Sequence, residues 1–224
     1  GFFYAYKYLV LVTNRHVVIN EKTEQYPSEL VVRLHTDLDG NDLTQNQFYT
    51  IPLYDENNTP QWIEHPEYGS DADVVCVLIN QDHPMLTETT GMMTGPDMQL
   101  PEFIHPSWIS HVSIVGYPKG YYDQVHNLPI VKSGCVASPY GIYHNGKPNF
   151  LVDAAAEPGM SGSPVFTHRI SDYLHTEERM AKLPSPGVFF LGVLSGGINN
   201  VLNLNTIWYA SLIKEILDPL LSPS

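Results

Sequence analysis

Cysteine is scarce: Cys76 and Cys135 are the only two in 224 residues. Each lies in an apolar, strand-like run, "DVVCVLI" and "PIVKSGCVAS". Both therefore read as buried free thiols in preference to a disulfide, and this leans toward a reducing, cytoplasmic compartment. Charge is scarce too, at 16% of residues, and one-sided. The 11 Lys and Arg face 24 Asp and Glu, a formal net charge of −13. Such a surface repels phosphate backbones, so nucleic acid is not an expected partner. No apolar run is long enough to span a bilayer, and no secretory signal is visible at "GFFYAYKYLVLV". Ten histidines occur, but no HExxH motif and no Cys–His cluster, so neither a metal nor another cofactor is expected. His35, His65, His83 and His105 read as loop or surface residues.

Apolar residues make up 43% of the chain, enough for a sizeable core. The 16 glycines, 18 prolines and 14 tyrosines favour many short strands joined by turns. Strand-like runs in the first half are "GFFY", "KYLVLVT", "ELVVRLHT", "QFYTIPL" and "DVVCVLI". "DLDGND" supplies an Asp-Gly turn signal between the third and fourth. The second half has "HVSIVGY", "LPIVKSGCVA", "NFLVDAA", "SPVF", "GVFFLGVLSGG" and "NTIWYA". This density of strands predicts barrels or a sandwich. Residues 87–107 are turn-rich and read as a connector. Residues 168–187 are polar and read as an exposed loop with at most one helical turn. Leu212, Ile213, Ile216 and Leu217 give one apolar face of a short final helix, which Pro219 stops.

Three separated pieces carry chemistry. His16 follows an apolar strand in "LVTNRHVV". Asp73 opens one in "SDADVVCVLI", with Asp71 as its rival. Ser161 lies between permissive glycines in "PGMSGSPVF", with Ser163 as its rival. A serine hydroxyl needs an adjacent base to act as a nucleophile, and an imidazole suits that work near neutrality. A buried carboxylate fixes the imidazole tautomer. The order His, Asp, Ser differs from the Ser, Asp, His order of α/β-hydrolases.

On these motifs the chain resembles the chymotrypsin-like serine peptidases, in particular the bacterial trypsin-like V8/HtrA-like branch. "VTNRHVV" is similar to that branch's histidine motif and "DVVCVLI" to its Asp-opened strand. "GMSGSPVF" is similar to its nucleophile motif. "IVGYPKG" and "LGVLSGG" are similar to the first strand of the second barrel and to the substrate-binding strand.

The resemblance implies an all-β fold of two six-stranded antiparallel β-barrels with a short C-terminal helix. Residues 1–98 would form the first barrel and 99–224 the second. The strand expected before "GFFY" is not in this sequence, so the first barrel is expected to look one strand short, and further domains outside this chain are an open expectation. His16 and Asp73 would come from the first barrel and Ser161 from the second. Backbone N–H groups of Gly159 and Ser161 would form the oxyanion hole. The substrate would be a peptide or protein, added as a strand along Ser195, Gly196 and Gly197. Ala155 and Ala156 would line the P1 pocket. No Asp lies there, and Leu194 stands where glutamate-specific relatives carry a His, so an uncharged P1 residue is expected. Met160 replaces the acidic residue of the digestive branch, which argues against activation by an N-terminal ion pair. The competing reading is an inactive peptidase-like module that binds peptides or serves a larger signalling or effector protein.

Overall fold

The computed structural model describes residues 1–19, 26–37, 39, 42–80, 82–84, 94–99, 110–167, 173–175, 180–182, 187–199 and 202–221. The first half carries β1 (Phe2–Ala5), β2 (Leu9–Thr13), a single helical turn α1 (Arg15–Val18), β3 (Glu29–His35), β4 (Asn46–Pro52), β5 (Trp62–Ile63) and β6 (Val75–Leu78). β1, β2, β6 and β5 form a four-stranded antiparallel sheet in that order. β3 and β4 form a separate hairpin. Along β3, exposed Glu29, Val31 and Arg33 alternate with Leu30, Val32 and Leu34, the period of two that buries one face of a strand. That inner face packs on Leu11, Tyr49, Ile51, Leu53, Val75 and Val77, and among the described residues the sheet and the hairpin do not close into one ring.

The second half is closed. β7 (His111–Gly116), β8 (Ile130–Val136), β9 (Asn149–Ala154), β10 (Pro164–Thr167), β13 (Phe190–Asn199) and β14 (Leu204–Tyr209) make a barrel in the order β10-β13-β14-β9-β8-β7, with β10 pairing back to β7. Val112, Ile114, Phe150, Val152, Val165, Leu191 and Ile207 fill it. All four residues of β10 are buried, because Val165 faces the barrel interior while Phe166 faces the core shared with the first half. That shared core also holds Tyr4, Val10, Val12, Phe190 and Trp208. Gln99 bridges the halves, donating to the Tyr4 hydroxyl at 2.8 Å and the Ala210 carbonyl at 3.2 Å.

The final helix, α2 (Ser211–Leu217), buries the four apolar residues expected of it, each against the shared core. Burying one such side chain contributes roughly 1.5–3 kcal/mol. Pro219 does not stop the chain outright: a 3-10 turn continues over Asp218–Leu221. A proline within the first turn of a helical segment lacks only an N–H that has no partner there anyway.

Several sequence expectations are revised. The loop expected over 168–187 contains an antiparallel pair, β11 (Tyr173–His175) and β12 (Met180–Lys182). The rest of that segment, most of the connector over 87–107, His105, and Gly40 of the Asp-Gly turn lie outside the described residues. Both cysteines are free, but Cys76 alone is buried. Cys135 sits half-exposed on β8 with its sulfur 3.6 Å from His111 Nδ1. His65 is not a surface residue. It is 3% exposed, and its Nδ1 accepts the N–H groups of Glu67 and Tyr68. Those bonds leave the proton on Nε2, which donates to Glu215 of α2 at 2.9 Å. His35 ends β3, and its Nε2 lies 2.6 Å from the carbonyl oxygen of His126, which joins the hairpin to the second half.

Candidate active site

The site lies where α1, the approach to β6, the nucleophile loop and β13 meet. β2 ends at Thr13, and the chain turns once through α1, which buries Val18 and leaves the His16 side chain 40% exposed. The first N–H groups of any helix have no partner inside it. Here one of them is met from across the fold, as His16 N donates to Asp73 Oδ1 at 2.9 Å. The other oxygen, Oδ2, is 2.7 Å from His16 Nδ1. A carboxylate only accepts, so Nδ1 carries the proton of that bond. Asp71, the rival carboxylate, is 78% exposed and pairs with Lys147 at 3.3 Å.

β13 supplies the next link. Its pairing with β14 slips between Leu194 and Gly196, a bulge that falls on Ser195. Bulges bend a strand and re-aim side chains. The Ser195 hydroxyl donates to Asp73 Oδ2 at 2.6 Å, and the Ser195 carbonyl oxygen accepts the Ser161 hydroxyl at 3.3 Å. Ser195 thus links Ser161, through its carbonyl, to the Asp73–His16 pair, through its hydroxyl. Among the described residues Ser161 makes no direct bond to His16; its hydroxyl points at Ser195. The sequence places Ser195 on the substrate wall only. Its partnership with Asp73 spans 122 positions and leaves no local signal.

The nucleophile loop is shaped by glycine. Gly159 has φ +90°, a conformation that an L side chain rarely adopts, and a Cβ there would lie 3.0 Å from the Tyr117 carbonyl oxygen. Gly162 has φ +78°, and its N–H donates to Leu194 O at 2.8 Å, pinning the loop to β13. Among the described residues neither the Gly159 nor the Ser161 N–H donates to a backbone acceptor. Lys119 N donates to Pro158 O at 2.6 Å, and Lys119 Nζ lies 3.0 Å from Glu157, so the "GYPKG" turn braces the loop from outside. Ser163, the rival nucleophile, is 4% exposed and packs under Gly116, where an added Cβ would come within 2.1 Å of its Oγ. Met160 is buried in the barrel core.

Ala155 is exposed, and Ala156 is half-buried against that core. Ser195 and Gly196 are half-buried and Gly197 exposed, along an open stretch of β13. A concavity of about 820 Å³ lies elsewhere, between His65, Glu67, Glu215, Asp218 and Pro219. It is a wide acidic dent without any of the residues above, so the chemistry of the side chains outweighs its size. Among the described residues no cluster of three or more His, Cys, Asp or Glu could hold a metal ion, and no helix is long and apolar enough to cross a membrane.

A closed six-stranded barrel, a second β half and a short C-terminal helix make up the chymotrypsin-like fold. The trypsin-like peptidase domain model matches residues 1–170, and the chain belongs to that family. Among solved structures, the thermostable serine protease AL20 from an extremophilic microorganism is 14% identical. The match covers 99% of this chain and 95% of that one at a TM-score of 0.45. Rv3671c from M. tuberculosis, in an inactive serine-to-alanine form, is 14% identical over 96% of this chain and 79% of its own at a TM-score of 0.42. Its active form is 13% identical over 95% and 89% at 0.39. No curated protein matches the chain.

Proposed function

We propose that this chain is a serine endopeptidase that cleaves peptide bonds through an acyl-enzyme. Ser161 attacks the scissile carbonyl. His16 Nε2 takes the hydroxyl proton and gives it to the leaving amine. Asp73 holds the imidazole in its Nδ1–H tautomer and stabilises the imidazolium as it forms. The observation that carries this reading is the Asp73 carboxylate, which takes bonds from both His16 Nδ1 and Ser195 Oγ at 2.7 and 2.6 Å while Ser195 O holds Ser161. In the attacking rotamer Ser161 leaves Ser195 O for Nε2.

The N–H groups of Gly159 and Ser161 receive the oxyanion. Both are held by backbone geometry, so they need no reorganisation as charge develops, and losing one such donor costs about 3–4 kcal/mol of barrier. The substrate lies extended along Ser195 to Gly197 and pairs with the open β13 backbone. With only Ala155 and Ala156 at the expected pocket base, the P1 residue is uncharged. Cleavage of a peptide library by the wild-type chain, with Ser161→Ala as control, tests the reading. Aliphatic or aromatic P1 residues are expected. A preference for Arg, Lys or Glu overturns the pocket assignment, and cleavage that survives Ser161→Ala overturns the mechanism.

A further inference from the structure

Asn14 occupies the N-cap position of α1 with extended backbone (φ −80°, ψ 151°), yet its side chain caps nothing in that helix. An N-cap Asn normally accepts an N–H from the first turn, which stabilises a helix by about 1 kcal/mol. Here Nδ2 reaches across the fold and donates to the backbone carbonyl of Asp73 at 2.7 Å. The capping is done from the other side, since Asp73 Oδ1 takes the His16 N–H. The two segments therefore hold each other reciprocally: the acid's side chain binds the base's backbone, and the side chain beside the base binds the acid's backbone. Asn14 is 0% exposed, and its Oδ1 has no hydrogen-bond partner among the described residues. A buried acceptor left unpaired destabilises a fold. An arrangement that forgoes a cap and orphans an acceptor is poorly explained by stability.

We propose that Asn14 is a positioning residue, which locks the Asp73 backbone to the His16 turn and so fixes the angle at which the carboxylate meets Nδ1. The inference rests on the triad reading above for its catalytic consequence, but not for its geometry. Misplacing a reacting group by about 1 Å costs on the order of 100-fold in rate. Nothing ties Asn14 to substrate, so the loss falls on kcat and not on KM.

Asn14→Leu is nearly isosteric. It deletes the donor and also removes the orphaned acceptor. The expected result is a kcat on a cleaved peptide lowered roughly ten- to hundred-fold, an unchanged KM, and a melting temperature close to that of wild type. Asn14→Ala is a second variant with the same expected kcat loss and a lower melting temperature. A sharp downfield proton resonance from His16 Nδ1–H is expected in wild type and is expected to broaden or vanish in Asn14→Leu. A purely structural residue gives the opposite pattern: lower melting temperature, unchanged kcat well below it, and an intact resonance. That outcome overturns the proposal. If wild-type protein proves inactive and takes no fluorophosphonate label, the peptidase reading fails, and the resonance alone decides the role of Asn14.

Discussion

The two halves of this molecule hold their functional groups by different means. The second half is a closed barrel, and its contribution to the site is mostly backbone: the positive-φ turns at Gly159 and Gly162 and the bulge at Ser195. Among the described residues the first half is an open sheet with a hairpin laid on it, and side-chain hydrogen bonds hold His16 and Asp73: Asn14 donates to the Asp73 carbonyl, the Asp73 carboxylate accepts from His16, and Ser195 of the second half donates to that carboxylate. Closure fixes main-chain donors, which is what an oxyanion requires. A polar network fixes an imidazole, whose orientation a backbone cannot set alone. The difference predicts two kinds of mutational response. Shape-conserving damage to the network costs activity at near-constant stability; damage at Gly159, where the barrel's loop makes a close approach, costs both.

The largest effect falls on the group that does the chemistry. Ser161→Ala is expected to lower kcat by about a million-fold, while Ser163→Ala leaves it near wild type. Equal losses would mean that the nucleophile loop is misread. Asp73→Asn comes next, at about ten-thousand-fold, because an amide can present an N–H to Nδ1 and favours the wrong tautomer. Its melting curve should move little. On the barrel side, Gly159→Ala combines a strained φ with a carbonyl 3.0 Å from the new methyl group. A loss in kcat of about a hundredfold is expected, together with a lower melting temperature. Gly116→Ala tests packing without chemistry. The new Cβ meets Ser163 Oγ at 2.1 Å, so destabilisation of about 1–3 kcal/mol is expected, partly reversed by Ser163→Ala in the same chain. The smallest effect is on thiol labelling. Burial pushes the Cys76 thiol up, far from any reactive range, so iodoacetamide should modify native Cys135 and spare Cys76 until unfolding.

The sequence makes the strands legible because their apolar residues alternate or run unbroken, and both patterns reflect burial directly. Thus β3, with Leu30, Val32 and Leu34 on one face, and the unbroken β10 are readable from residue types. The final helix is readable for the same reason. Elements too short to show a period are not: α1 has four residues and β5 two. His16, Asp73 and Ser161 stand out through their neighbours, a strand end, a strand start and a glycine pair. Ser195 as a partner of Asp73, Asn14 as a cross-clamp and His65 as a buried link to α2 do not, because each is defined by a partner 59 to 150 positions away. The half-exposure of Cys135 is hidden for a related reason: alternation in "IVKSGCV" is broken, and its face is set by the barrel's pairing with β7 and β9.

The convergence of hydroxyl, imidazole and carboxylate at the seam of the two halves is tested most directly by a fluorophosphonate probe, with the modified residue located by mass spectrometry. One phosphonyl group per chain on Ser161, abolished in Ser161→Ala and strongly slowed in Asp73→Asn, is the predicted result. A label on another residue, a label indifferent to Asp73, or native protein that takes none would contradict it.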